Sequence, residues 1–332
     1  MMRVGILGCG YIAEKMALTL RMMQANGEEV CPYAAAARSL ERAQAFCEKQ
    51  GFEKAYGSYE EMLKDPLVDL VYVATPHSHH ARHMELCLNH GKPVLCEKAF
   101  TANAKQARRV LQLAREKNLL VAEAIWPRYM PCRKIINDLI ASGAIGEPRR
   151  LTANLHYLIE KKERIWNPHL AGGALLDVGI YPLTFCAMFF GDDFVKFDTS
   201  VQMMETGVDR QETLTLYYAD GRVAQLSAGA ESRSDRLGYI GGTEGYLLVE
   251  NVNNPEKITL YKASEDHAIP HDIPLPKQLT GFEYQVRACK EALENGWIEC
   301  PQMTHQQSIR MMEIMDGFRA QWGMVYPEEV EA

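Results

Sequence analysis

The chain has 332 residues, of which 47% are hydrophobic and 24% are charged, and its formal net charge is -7. That length suits two domains, and the composition is ordinary for a soluble globular protein. No long run of one charge sign occurs, which excludes a basic stripe for nucleic acid. The chain opens on a strand-like run without the features of a signal peptide, and no uninterrupted apolar run approaches the length of a membrane span, so we expect no membrane attachment.

Nine cysteines are spread along the chain, and no two have the C-x-x-C spacing of a redox or zinc site. Their odd number and apolar surroundings favour buried, reduced thiols over a disulfide framework. We therefore expect a cytoplasmic protein.

The first 125 residues alternate between strand and helix patterns. Strands are predicted at 3–7, 29–37, 69–75, 93–96 and 119–124, and helices at 11–24, 40–50, 78–90 and 103–117. Ser58 and Glu61 form a capping box that begins a further helix. Because the connections are short, this alternation predicts a parallel, doubly wound sheet.

The pattern changes near residues 123–131. Strands are predicted at 151–158, 211–218, 222–228, 246–249 and 257–261, and helices at 133–142, 281–295 and 305–322. Ala219-Asp220-Gly221 is a hairpin signal, and Thr304 with Gln307 forms a second capping box. The second half therefore predicts a mostly antiparallel sheet followed by helices.

Residues 8–13 read G-C-G-Y-I-A and match the G-x-G-x-x-A turn of dinucleotide-binding proteins, in the required place between a strand and a helix. Gly8 permits the tight turn, Gly10 lets the backbone approach a pyrophosphate, and Ala13 allows close packing of helix on strand. The helix start, with Tyr11 and Ile12 in its first turn, offers N–H groups to the phosphates. The alternative is a glycine turn that binds nothing.

The residues at the end of the second strand distinguish proteins that bind NAD from those that bind NADP. An acidic residue there bonds the ribose 2′-hydroxyl of NAD, but residues 34–39 read A-A-A-A-R-S. Arg38 can contact a 2′-phosphate and Ser39 can add a hydrogen bond. The sequence therefore predicts NADP, with NAD as the alternative if Arg38 merely begins the next helix.

Three later segments complete a pattern: T-P-H-S-H-H at 75–80, G-K-P-V-L-C-E-K-A-F at 91–100 and G-G-A-L-L-D-V-G-I-Y-P at 172–182. With the glycine turn, they resemble the glucose–fructose oxidoreductase / inositol dehydrogenase (Gfo/Idh/MocA) family over nearly the whole chain. The run E-A-I-W-P-R-Y-M-P at 123–131 resembles the branch of dimeric trans-1,2-dihydrodiol dehydrogenases and NADP-dependent D-xylose dehydrogenases. The family's E-K-P reads Glu97-Lys98-Ala99 here, a departure that is common in that branch.

The resemblance implies an α/β protein with a Rossmann dinucleotide-binding domain at 1–125 and a substrate-binding and dimerisation domain at 126–332. The second domain would carry an open, mostly antiparallel sheet that forms a homodimer or higher homo-oligomer, and the helix at 305–322 can return to the first domain. The implied activity is hydride transfer between a nicotinamide and a carbinol or carbonyl carbon. The implied small-molecule substrate is a sugar, a polyol or a cyclic diol.

Hydride transfer at a carbinol needs an acid–base group and stabilisation of a developing oxyanion. Lys98 follows a parallel strand at the edge where such sheets bind ligands, and its ammonium can hydrogen-bond the substrate oxygen. Tyr181 is the expected acid–base partner, since a positive charge nearby lowers the pKa of a phenol from about 10. Asp177 shares a helix face with Tyr181 and would contact substrate; capping that helix is its alternative.

The resemblance also implies cofactor contacts from Thr75, Pro76, His80, Glu97 and Lys98, and substrate contacts from Trp126 and Arg128. A role in joining the domains is equally open for Trp126 and Arg128.

Three alternatives compete with this interpretation. His79 and His83 have the i,i+4 spacing of a metal-binding pair, but no Glu or Cys completes a set with them or with His77 and His80, so we expect no metal. A cofactor-binding sensor that lacks catalysis would need neither Lys98 nor Tyr181. A biliverdin-reductase-like reductase would not need the pairing of Asp177 with Tyr181.

Overall fold

A computed structural model describes residues 1–263 and 268–330. The chain divides into two compact units, and each is built from two stretches of sequence. The first unit comprises Met1–Trp126 and Gln278–Glu313, and the second comprises Pro127–Lys277 and Ile314–Ala332.

The first unit contains a six-stranded sheet in the order β3-β2-β1-β4-β5-β6, with every neighbouring pair parallel. Its strands are β1 (Met2–Leu7), β2 (Val30–Ala36), β3 (Lys54–Tyr56), β4 (Leu70–Val73), β5 (Val94–Glu97) and β6 (Val121–Ala124). Its helices are α1 (Tyr11–Ala25), α2 (Leu40–Gln50), α3 (Tyr59–Leu63), α4 (His77–Asn89) and α5 (Ala104–Lys117). This strand order is that of a doubly wound dinucleotide-binding fold, in which ligands bind at the carboxyl edge of the sheet.

The second unit begins with α6 (Pro131–Ala141) and contains an eight-stranded sheet in the order β14-β13-β12-β11-β7-β10-β9-β8. Its strands are β7 (Pro148–His156), β8 (Lys196–Met203), β9 (Asp209–Tyr217), β10 (Val223–Gly229), β11 (Gly238–Gly242), β12 (Gly245–Glu250), β13 (Lys257–Ala263) and β14 (Ala268–Ile273). Only the pairing of β7 with β10 is parallel. The predicted α/β class and mostly antiparallel second sheet are confirmed.

Helices α7 (Glu163–Trp166) and α8 (Ile180–Phe189) follow β7, and α8 continues from a π-helical turn at Leu175–Gly179. Three more helices close the chain: α9 (Glu283–Glu294), α10 (His305–Trp322) and α11 (Pro327–Val330). The bounds of α10 are those predicted from the sequence, because its capping box forms. The Thr304 hydroxyl accepts the N–H of Gln307, and the Gln307 side chain accepts the N–H of Thr304.

The structure groups Gln278–Glu313 with the first unit, whereas the sequence assigns 126–332 to the second domain and lets only the helix at 305–322 return to the first. Specific polar contacts hold it there. Arg287 forms two bonds to Glu28 at 2.9 and 2.7 Å, and Nε2 of His305 lies 3.0 Å from the carbonyl oxygen of Val121. Partners so distant in sequence leave no local pattern from which to predict the grouping.

A buried carboxylate ties β2, β3 and α3 together in the first unit. Asp65 accepts hydrogen bonds from Tyr33, from Tyr56 at 2.6 Å and from Lys54 at 2.9 Å, as well as the N–H of Leu67. Burial by itself would raise the pKa of Asp65, but these bonds outweigh it and hold the pKa well below its usual range. Asp65 is therefore a charged anchor of this layer.

One described segment, Pro168–Phe189, is long and apolar enough to cross a membrane, with a mean hydropathy of 1.5. However, 89% of its most apolar stretch is buried inside the protein. A buried core helix passes the same test of length and composition, so this segment is weak evidence for a membrane span.

Candidate active site

The glycine turn lies between β1 and α1, at the carboxyl edge of the parallel sheet. Gly8 has a φ of 102°, and a Cβ there would come within 3.0 Å of Cγ2 of Thr75. Gly10 precedes α1, where no side chain caps the helix and a Cβ would meet no described atom within 4 Å. In the first turn of α1, Tyr11 is 71% exposed, Ile12 is half-buried and Ala13 is fully buried. A bare helix start with open space above Gly10 fits a pyrophosphate.

A second feature flanks the turn at the end of β2. Arg38 and Ser39 are exposed, and the Ser39 hydroxyl caps α2 by accepting the N–H of Arg42 at 3.2 Å. Nη2 of Arg42 also donates to the carbonyl oxygen of Cys9 in the glycine turn at 3.3 Å. Arg42 is not among the residues predicted from the sequence, although its i,i+4 spacing from Arg38 across a helix start is a usable signal. Arg38 therefore follows β2, where NAD-binding proteins carry an acid, and the Arg42 guanidinium lies beside the glycine turn.

The thiol between the two glycines is not a reactive centre. Burial raises the pKa of Cys9 to about 11, and the charge of Cys47 adds to the shift. Its Sγ lies 3.6 Å from the carbonyl oxygen of Ala36. The thiol therefore stays neutral near pH 7 and cannot act as a nucleophile there.

Lys98 follows β5 directly and is half-buried, at the same edge of the sheet as the glycine turn. The peptide bond between Lys98 and Ala99 is cis. His80 is fully buried behind this segment, and its ring nitrogens lie 2.7 Å from the carbonyl oxygen of Thr75 and 2.8 Å from that of Ala99. His80 thus joins the ends of β4 and β5 through backbone contacts.

Three further predicted cofactor residues lie at the ends of the same strands. Glu97 ends β5 and accepts a hydrogen bond from the Tyr72 hydroxyl of β4. Thr75 contacts Nδ1 of His83 through its hydroxyl at 2.9 Å, and Pro76 precedes the first residue of α4. The structure therefore gathers these residues at one edge of the sheet.

Asp177 lies inside the π-helical turn, and Tyr181 lies one residue into α8; both are nearly buried. The N–H of Leu175 at the start of the turn is bound by Oδ2 of Asp209 at 2.6 Å, so Asp209 rather than Asp177 caps this end. Nε and Nη2 of Arg164 instead bind the two Asp177 oxygens at 3.3 and 3.0 Å. Arg164 is not among the residues predicted from the sequence, because no pattern in the chain between α7 and the turn indicates that they meet.

Trp126 and Arg128 are both buried, which bears on the two roles left open for them. The Trp126 ring stacks on Phe282 with centroids 4.4 Å apart and an interplanar angle of 8°. The carbonyl oxygen of Arg128 accepts a bond from the Arg133 side chain at 3.3 Å. One face of the Trp126 ring is therefore covered by protein, which favours a structural role for that face.

The histidines of α4 contact one another rather than converging on one point. The rings of His79 and His83 have centroids 5.6 Å apart, and those of His77 and His80 meet edge to face at 5.7 Å. Within residues 1–263 and 268–330, no group of three or more His, Cys, Asp or Glu side chains is placed to hold a metal ion.

Comparison with known families agrees with this geometry. Residues 2–124 match the NAD-binding Rossmann domain of the GFO/IDH/MocA oxidoreductase family, and residues 134–248 match the C-terminal domain of the same family. The chain therefore belongs to the GFO/IDH/MocA oxidoreductase family, and it is an oxidoreductase that uses a nicotinamide dinucleotide.

Within that family, the chain is similar to trans-1,2-dihydrobenzene-1,2-diol dehydrogenases. The enzyme of Danio rerio is 33% identical over 99% of both chains, and that of Xenopus tropicalis is 34% identical over 97% of this chain and 98% of its own. Among solved structures, the 3-ketoreductase KijD10 from Actinomadura kijaniata, in complex with NADP and TDP-benzene, has a TM-score of 0.85. It is 30% identical, over 96% of this chain and 97% of its own. The predicted membership of this family is confirmed.

Proposed function

We propose that the chain is an NADP(H)-dependent dehydrogenase or reductase that acts on a CH–OH or ketone group of a cyclic diol, a sugar or a polyol. The position of Lys98 carries the proposal: it follows β5 at the carboxyl edge of a parallel sheet, and the glycine turn after β1 lies at the same edge. A cationic side chain at the ligand-binding edge of the sheet is suited to hold a reacting oxygen. The similarity to dihydrodiol dehydrogenases and to a 3-ketoreductase supports the substrate class.

Each residue has a definite task in this reaction. When bound, the nicotinamide ring accepts or gives a hydride at the carbinol carbon. Lys98 donates a hydrogen bond to the substrate oxygen and stabilises the alkoxide that develops there. Tyr181 takes the hydroxyl proton during oxidation and returns it during reduction. Asp177, held by the bidentate bond from Arg164, accepts a hydrogen bond from a neighbouring substrate hydroxyl.

The residue types at issue recur in the similar ketoreductase. Its solved structures include variants in which a lysine is replaced by alanine or glutamate and a tyrosine by phenylalanine. That a lysine and a tyrosine were chosen for substitution in a relative of the same fold supports the roles proposed for Lys98 and Tyr181.

The test is a substrate screen that records formation or loss of NADPH with cyclic diols, sugars, inositols and their ketones. On the best substrate, we expect Lys98→Met and Tyr181→Phe each to lower kcat by roughly 10²-fold, the scale of a lost acid–base or oxyanion contact. We expect the Kd for NADPH to stay within about two-fold, because neither change removes a phosphate contact. Lys105→Met on α5 and Tyr284→Phe on α9 are matched controls.

A double variant adds a sharper criterion. If Lys98 and Tyr181 serve one chemical step, the double variant should lose about as much kcat as the worse single variant, since groups that act as a unit are not additive. Full activity in both single variants would contradict the assignment. Tight NADPH binding without turnover of any compound in the screen would favour a sensor instead.

We further propose NADP over NAD, with Arg38, Ser39 and Arg42 around the 2′-phosphate. The lack of an acid at the end of β2 and the exposure of both guanidinium groups support this choice. Kinetics with NADPH and NADH compare the two cofactors directly, and a preference for NADH would overturn the proposal.

We also propose a homodimer that forms through the outer face of the eight-stranded sheet. Three half-buried tyrosines cross adjacent strands on that face: Tyr246 stacks on Tyr261 at 4.5 Å and lies 5.2 Å from Tyr239. Aromatic side chains are enriched in protein–protein interfaces. Light scattering should give a dimer for the wild type and for Tyr246→Phe, and a monomer for Tyr246→Glu; a monomeric wild type would refute the proposal.

We infer that the protein works in a reducing compartment and propose the cytoplasm. All nine cysteines are free thiols, and seven of them are buried. Unpaired cysteines of this number are unusual in oxidising compartments. Fractionation of the native host with an antibody to the chain checks the location.

A further inference from the structure

Two carboxyl groups lie side by side in the core of the second unit. Asp209 and Glu212 are both on β9, and they are 0% and 2% exposed. In a regular strand, residues three apart point to opposite faces. Here a bulge places one extra residue between the partners of Gln202 and Met203, which turns both carboxyl groups to the same buried face.

These carboxyl groups occupy the space beneath the π-helical turn. A Cβ at Gly173, which has a φ of 109°, would overlap Oδ1 of Asp209, and a Cβ at Gly179 would overlap Oε1 of Glu212. Oδ2 of Asp209 also accepts the N–H of Leu175. The two glycines that bracket the turn are therefore required by the carboxyl groups below them.

The pair is short of hydrogen-bond donors. In the part of the chain that the structure describes, no donor reaches Oε1 or Oε2 of Glu212 or Oδ1 of Asp209. Burial raises the pKa of Asp209 to about 6, against the bonds from the Leu175 and Ala174 N–H groups. Burial and then the charge of Asp209 raise the pKa of Glu212 well above its ordinary value. A proton on Glu212 provides the missing donor toward Asp209.

The last stretch of the chain brings Arg319 and Tyr326 near Asp209. The Arg319 guanidinium lowers the pKa of Asp209, but it is already bound to Glu329 at 2.8 Å and to Asp316 at 2.7 Å. The Tyr326 hydroxyl donates to the carbonyl oxygen of Gly172 at 2.7 Å, and its pKa is raised by burial. None of these groups supplies a free positive charge that would let both carboxyl groups ionise.

We propose that Asp209 and Glu212 share one proton and act as positioning residues for the turn that presents Asp177 and Tyr181. With one proton, the pair is a hydrogen-bonded acid and carboxylate, and Asp209 holds the Leu175 N–H. When the proton leaves, two negative charges repel each other in a space that the glycines leave no room to enlarge, and the turn must move. The effect on turnover rests on the proposed function, whereas the sharing of the proton does not.

The first experiment needs no substrate and uses the full chain. Infrared spectra should show a protonated carboxyl C=O band that persists at pH 8 in the wild type and in the control Glu250→Gln, and that is lost in Glu212→Gln. Hydrogen exchange of peptides covering residues 173–181 should accelerate above the pH at which this band disappears. In Glu212→Gln, the amide remains a donor at every pH. The exchange rate of the same peptides, corrected for the intrinsic pH dependence of exchange, should therefore not change with pH. Absence of the band in the wild type, or equal exchange profiles in both proteins, would overturn the proposal.

The second experiment measures the turnover effect. As the shared proton leaves, kcat of the wild type should fall about 10-fold, since small displacements of catalytic groups cost one to two orders of magnitude. Glu212→Gln should lack that alkaline fall. Asp209→Asn should lower kcat about 10-fold at every pH and leave the Kd for NADPH within two-fold. Superimposable profiles for wild type and Glu212→Gln would refute the positioning role. A complete lack of turnover alongside the infrared band would refute the proposed function alone.

Discussion

Replacement of Arg38 and Arg42 by alanine tests how the protein recognises its cofactor. Arg38 follows β2 and is exposed, and the Arg42 side chain lies beside the glycine turn, where it is fixed by its bond to the carbonyl oxygen of Cys9 and by the Ser39 cap. Neither NADH nor NAD has a 2′-phosphate, so only the phosphorylated cofactor should respond. The variants therefore separate recognition of the 2′-phosphate from a general role in shaping the turn.

The exposure of the two side chains sets the expected magnitude. A charge-assisted hydrogen bond contributes about 1.5–3 kcal/mol, and solvent screening of exposed groups favours the lower end. About 1.4 kcal/mol for each arginine is a tenfold rise in the Kd for NADPH, and roughly 100-fold for the double variant if the contacts are independent.

The assay is titration of nicotinamide fluorescence with NADPH and NADH at two salt concentrations. We expect the NADPH affinity of the wild type to fall with salt and that of the double variant to depend on salt less, because ionic contacts are screened. Arg115→Ala on α5 is the control for loss of a surface charge. Parallel losses for NADPH and NADH would refute the reasoning, since they would assign the arginines to the turn itself.

Three further predictions concern stability and the substrate. Asp65→Asn should cost about 2 kcal/mol or more in urea unfolding at pH 7, because charge-assisted bonds are lost. Since the folded pKa of Asp65 is lowered, its stabilisation is present above about pH 4 and is lost as the pH falls. The free energy of unfolding of the variant should thus fall less steeply than that of the wild type as the pH decreases below about 4. An equal fall in both proteins would contradict this. Gly238→Ala should cost about 1–3 kcal/mol, because its Cβ would overlap the ring of Phe185; an unchanged urea midpoint would refute the overlap. Arg164→Leu should raise KM for a diol about 10-fold, because Asp177 loses its bidentate partner, with Arg164→Lys in between; unchanged KM would remove Asp177 from the substrate site.

Much of the first unit could be predicted because its signals are local. Hydrophobic periodicity and capping residues predict the bounds of α2 and α10 as the structure has them. The Ser58 hydroxyl likewise accepts the N–H of Glu61, as its capping box predicts. The glycine turn and the end of β2 can be interpreted from sequence for the same reason, since one short run carries the whole pattern.

The structure of the second unit is harder to predict from the sequence, because it depends on contacts between residues that are distant along the chain. Strand β11 contains three glycines, which weaken the strand pattern, yet Gly238 is needed because Phe185 packs against it. The carboxyl pair on β9 has a spacing that places its members on opposite faces of a regular strand, and only the bulge brings them together. The bond between Arg164 and Asp177 likewise has no counterpart in periodicity or spacing.

The return of Gln278–Glu313 to the first unit has a consequence for how this protein can be made and cut. Strand β6 reaches its hydrogen-bonding partner His305 only after another 184 residues have been synthesised. On the ribosome, the cofactor-binding half therefore waits for nearly the entire chain before its last strand is covered. A fragment truncated after residue 126 would lack that cover, and an excised cofactor-binding module would have to graft the late segment back through a linker. Exchange of the second unit between relatives likewise needs three crossover points instead of one, because the chain passes between the two units three times.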